Sequence, residues 1–114
     1  MIITKSDPFT KDEILKLQEQ FGSYIKTVID IEDKVCSAGP DRHFESEKVL
    51  LSLGSKQGNV WGGGIDINSK AIDYNSFINI RPNDNNHSNE IQSEEIRNKY
   101  KELTEYFFSE IYVK

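Results

Sequence analysis

The chain has 114 residues, 36% of them hydrophobic, with one Trp, five Tyr and six Phe and a formal net charge of -5. That size predicts one domain, 1–114, because two independent cores would each be too small. The acidic balance excludes general nucleic-acid attraction, the lack of any apolar run near ~20 residues excludes a membrane span, and the single Cys36 excludes an internal disulfide.

Polar and charged residues stand where a secretory leader would need an apolar run, so the expected location is cytoplasmic. Thr10 followed by Glu13 forms a capping-box pattern, with Phe9 and Ile14 placed as a hydrophobic staple, and predicts a helix start. Ile14, Leu17 and Phe21 continue at helical spacing until Gly22 supplies a stop. From Tyr24 the period becomes two. Ile25, Thr27, Ile29 and Ile31 fall on one side and Lys26, Val28, Asp30 and Glu32 on the other, the pattern of a half-buried strand.

Segment 36–42 contains Gly39 and Pro40 and reads as a connection. Segment 44–53 reads as a second strand, although Val49, Leu50 and Leu53 also fit a helical face. The turn-rich stretch 54–59 leads to a third strand over 60–67, with Trp61, Ile65 and Ile67 in phase, which makes a hairpin. A fourth strand is predicted over 70–81, where Ile72, Tyr74, Ile78 and Ile80 share parity. Pro82 ends it, and a polar Asn-rich loop follows over 83–89. Ser93 then caps a helix with Glu94 and Glu95 in its first turn and an apolar stripe of Ile96, Tyr100, Leu103, Phe107 and Ile111. The expected fold is α+β: an N-terminal helix, a four-stranded mainly antiparallel meander, and a long C-terminal helix. Both helices would pack on the face holding Ile29, Ile31, Ile78 and Ile80.

The opposite face collects the residues capable of chemistry. On extended chain His43, Glu45 and Glu47 point one way, as do Asp30 and Glu32, so four carboxylates and one imidazole could gather around a divalent cation. The same alternation also describes the solvated face of an antiparallel sheet. His43, with an unperturbed pKa near working pH, is the candidate for proton transfer, with Glu45 and Glu47 orienting it or holding the cation. Asn79 and Arg81 share a strand face, where the guanidinium could hold an anionic ligand or could pair with an acid and fix the strand end.

The run Trp61, Gly62, Gly63, Gly64 leaves three strand positions without side chains. It signals either close approach by backbone, ring or ligand, or a twisted hairpin beneath Trp61. Neither a P-loop nor a dinucleotide-binding pattern is present, and Cys36, with only Lys34 as a basic neighbour, has little to activate its thiol. Two functions follow. One is a ligand-binding or hydrolase-like protein for an anionic ligand, with a divalent cation as candidate cofactor. The other is a non-catalytic interaction module acting through its sheet face or edge, for instance as a homodimer.

The runs Val28, Ile29, Asp30, Ile31, Glu32, then Gly54, Ser55, Lys56, Gln57, then Val60, Trp61, Gly62, and finally Ile78, Asn79, Ile80, Arg81, Pro82 resemble a family of short bacterial and archaeal proteins of unknown function. His43 with Glu45 and Glu47, and Asn86, Ser88, Glu90 and Ile91, fit the same pattern, whereas Gly63 and Gly64 depart from it. The resemblance implies a compact domain and brings no catalytic residues.

Overall fold

Local signals set both ends of the chain. In the computed structural model, which describes residues 1–112 apart from the side chains of Gln20 and Phe21, Thr10 Oγ1 accepts the Glu13 amide at 3.2 Å and Glu13 Oε1 accepts the Thr10 amide at 2.8 Å. Helix α1, Lys11–Phe21, starts at this reciprocal cap and ends at Gly22, whose φ of 67° suits glycine. The place expected for Phe21 on the apolar stripe lies outside the described side chains. Ser93 Oγ accepts the Ile96 amide at 3.3 Å and opens α3, Glu94–Phe107.

Between these helices the chain builds a five-stranded antiparallel sheet. Strands β1 (Ile3–Lys5), β2 (Tyr24–Asp30), β3 (Val35–Ala38), β4 (Val60–Asp66) and β5 (Ile72–Asp73) lie in the order β1-β3-β2-β4-β5. The fold is therefore α+β as expected, but the four-stranded meander is corrected. Strands β1 and β3 were not anticipated. β3 lies in the segment read as a connection, and its Cys36, Ser37 and Ala38 are all buried, which erases the in-out alternation that marks a half-exposed strand.

Segment 44–53 is helical, as α2, His43–Ser52. Its alternating acids imitated a strand, yet Glu45 Oε1 accepts the Arg42 amide at 2.9 Å, as an acid in a first helical turn does. Segment 70–81 keeps ladder pairing over β5 and, beyond it, two isolated antiparallel bridges, Asn75 with Glu90 and Arg81 with Asn86. A short 3₁₀ turn, Phe77–Asn79, and a second, Pro82–Asp84, take the place of the expected strand end.

The sheet is covered on both faces. Ile14 and Leu17 of α1 and Tyr100 and Phe107 of α3 pack with Ile25, Ile29, Trp61 and Ile65. On the other side Leu50 of α2 packs with Val28 and Val60, and Ile78 lies against them. Ile78 thus belongs to the α2 layer, not to the layer of the two terminal helices, and Ile80 is 45% exposed. The face expected to stand open and polar carries a helix, and Val28 and Asp30 are buried beneath it.

Candidate functional site

The three consecutive glycines of β4 shape the site. A Cβ on Gly62 would lie 2.7 Å from the Ser76 Cβ and 3.1 Å from His43 Cδ2; one on Gly63 would press on the Asp73 carbonyl and the Tyr100 ring; one on Gly64 would enter the Tyr24 ring. The glycines let an imidazole and two phenols lie directly on the strand. Tyr24 Oη donates to Asp73 Oδ2 at 2.6 Å, and Tyr100 Oη donates to the Thr27 carbonyl at 3.0 Å. Burial pushes both phenols above their ordinary pKa.

His43, the first residue of α2, has Nε2 2.7 Å from the Gly63 carbonyl. Because a carbonyl can only accept, Nε2 carries the proton and Nδ1 is the ring's acceptor. Burial lowers the His43 pKa, with nearby Lys26 acting the same way; the Gly63 hydrogen bond and Asp73 oppose them. That lowering favours the neutral ring at pH 7; its Cδ2–Nε2 edge faces β4, so Nδ1 lies on the edge turned from the strand.

Beside it, a groove of about 510 Å³ runs between the start of α2 and the 75–78 segment. Phe44 and Phe77, 46% and 84% exposed, and Ile78 provide apolar walls; Asn75, Ser76 and Asn89 add polar atoms. Lys26, Arg42 and Asp41 also line it, and with a neutral His43 they sum to one net positive charge in a chain of net charge -5. Phe44, Phe77, Lys26 and Arg42 were not singled out from sequence. For Phe44 and Phe77 the only signal is an aromatic in each of two segments whose conformation the periodicity misjudged; Lys26 and Arg42 carry none.

The other anticipated residues are distributed differently. Glu45 caps α2. Glu47 stands one turn beyond His43 on α2 and within electrostatic reach of Arg81; its Oε2 is buried without a hydrogen-bond partner, and burial raises its pKa against the pull of Arg81 and Gln57. Asp30 is buried, with Oδ1 accepting the amides of Glu32 at 3.0 Å and Asp33 at 2.9 Å, while Glu32 is exposed and lies 3.5 Å from Lys99. Among the described residues no group of three or more His, Cys, Asp or Glu side chains is arranged to hold a metal ion.

Asn79 and Arg81 are not on a strand face. Both are buried against the edge of β4. Asn79 Oδ1 accepts the Gly62 amide at 2.8 Å, and its Nδ2 donates to the Gly62 carbonyl at 2.9 Å. Arg81 Nε donates to Ile78 O at 3.0 Å, Nη1 and Nη2 donate to the carbonyls of Gln57 and Val60, and the guanidinium stacks 4.3 Å from the Trp61 ring centroid. Asp84 Oδ2 lies 3.9 Å from Nη1. The guanidinium spends its fork on backbone carbonyls, and Arg81 does not line the groove.

These features define a small α+β protein with an antiparallel sheet between helical layers and a groove at the start of α2. The chain belongs to the family described as "Protein of unknown function (DUF5674)", whose model matches residues 1–107. No curated protein and no solved structure matches it. Among the described residues no helix is long and apolar enough to cross a membrane.

Proposed function

We propose that this chain is a binding protein for a small amphipathic anion, held in the groove beside His43. The observation that carries the reading is the groove itself, about 510 Å³ in volume, whose phenyl walls stand beside one half-buried imidazole with a lowered pKa. Ligand sites of about 300–1,000 Å³ are commonly apolar clefts with a few converging polar groups. The apolar part of the ligand would lie against Phe44 and Phe77, and its anionic end would sit toward Arg42, with Lys26, whose Nζ donates to the Asp41 carbonyl at 2.7 Å, adding positive charge beside it.

Binding without turnover is the better-supported form. A hydrolase reading needs Asn79 and Arg81 beside His43 as the anion holders, and their donors are engaged with backbone carbonyls. Assembly through a sheet edge has less support, since β1 has three residues and β5 two, which leaves few unpaired backbone groups for a partner.

Nitrogen-edited NMR with hexanoate, hexyl phosphate, benzoate and adenosine monophosphate tests the proposal. Amide shifts clustered at Lys26, Arg42, Phe44 and Phe77 with at least one of them are expected. No saturable shift there with any of the four would overturn it.

A further inference from the structure

Among the described residues most aromatic rings are partnered. Phe9, Tyr74, Tyr100, Tyr106, Phe107 and Phe108 make ring–ring contacts, Trp61 and Tyr112 lie under cations, and Tyr24 is hydrogen-bonded. Phe44 and Phe77 have no such partner, yet both line one groove and both are exposed. An apolar tail would be served by any aliphatic wall; two free ring faces favour a planar π-system, which stacks on them in offset or edge-on geometry.

The imidazole adds a second selection. His43 has committed its N–H to the Gly63 carbonyl, so Nδ1 offers a lone pair and no proton. A ligand group meeting it must donate. The carboxamides of Asn75 and Asn89, at the same groove, can each donate and accept and would read the remaining polar edge of a heterocycle.

We infer that the ligand is a planar heteroaromatic compound with an N–H donor and an anionic substituent, the chemistry of a mononucleotide, with its ring against Phe44 and Phe77 and its N–H on His43 Nδ1. This rests on the amphipathic-anion reading and narrows it. The ligand is a monomer and not a polynucleotide, since the groove carries one net positive charge while the whole chain carries -5.

Isothermal titration of the full chain with adenosine monophosphate, its exocyclic-dimethylated analogue and hexyl phosphate separates the two levels. Adenosine monophosphate is expected to bind tightest, with about tenfold loss on removing the exocyclic N–H groups and about tenfold loss in the Phe77→Ala variant. Phe77 is 84% exposed, so that variant keeps its fold, which its far-ultraviolet spectrum verifies. Hexyl phosphate binding as tightly as the nucleotide would overturn the heteroaromatic inference and leave the amphipathic-anion reading standing. Equal binding by the dimethylated analogue would overturn the His43 contact, and no binding by any of the three, with hexanoate and benzoate also silent, would remove both.

Discussion

Asn79 pairs with Gly62 as a strand would: its carboxamide accepts the Gly62 amide at 2.8 Å and donates to the Gly62 carbonyl at 2.9 Å. One side chain thereby closes the edge of β4 where β5 does not reach. The same Nδ2 lies 3.1 Å from the carbonyls of both Tyr74 and Asn89, so it also ties the segments that wall the groove. Replacing Asn79 with Ala strands these buried groups. The expected cost is about 2–4 kcal/mol, read as a lower urea midpoint with unchanged slope.

The glycine run gives a paired prediction. Gly63→Ala drives a methyl into the Asp73 carbonyl and to 3.0 Å from the Tyr100 ring, and should destabilise by about 1–3 kcal/mol. Gly58→Ala meets nothing within 4 Å and should stay within about 0.5 kcal/mol of the parent. Thermal unfolding of the two variants side by side measures the difference.

Arg81→Lys should behave as a severe substitution. Lysine keeps the charge but loses the planar fork that serves Ile78, Gln57 and Val60 and stacks on Trp61. A loss of about 2–4 kcal/mol is expected in chemical denaturation. A parent-like midpoint would show that charge alone holds the segment.

His43 and Glu47 make opposite contributions to pH dependence. The folded-state pKa of His43 is lowered from 6.5, so the unfolded chain binds the proton first on acidification. Its contribution is full above that value and is lost as pH falls through the folded pKa. His43→Gln should therefore flatten the stability decline between about pH 7 and pH 5 in urea titrations.

Glu47 is raised from 4.5, so its contribution is full below that value and is lost as pH rises through the folded pKa. Glu47→Gln removes the buried charge and should stabilise the protein at neutral pH, with the gain vanishing in acid. A neutral-pH midpoint below the parent's would show that attraction to Arg81 outweighs burial.

Local chemistry made much of this architecture legible. Thr10 with Glu13 and Ser93 with Glu94 and Glu95 announce α1 and α3 because a cap is satisfied within three residues. The alternation from Tyr24 and again from Val60 announces β2 and β4. Segment 44–53 misled because His43, Glu45 and Glu47 alternate like a strand, while the one buried apolar residue on that stretch of helix, Leu50, is too little to mark a helical face. For the candidate site, His43 was visible as a titratable group at a segment boundary, but its tautomer depends on a carbonyl 20 residues away.

The chain alone therefore determined the terminal helices, the two central strands and the α+β class, since caps and periodic burial are short-range. Only tertiary structure decided that α2 is helical, that β1 and β3 complete the sheet, and that Asn79 and Arg81 brace β4 across 17 and 21 residues. Those outcomes come from buried backbone groups seeking partners wherever the packed sheet leaves them unpaired, and no local pattern records where that will be.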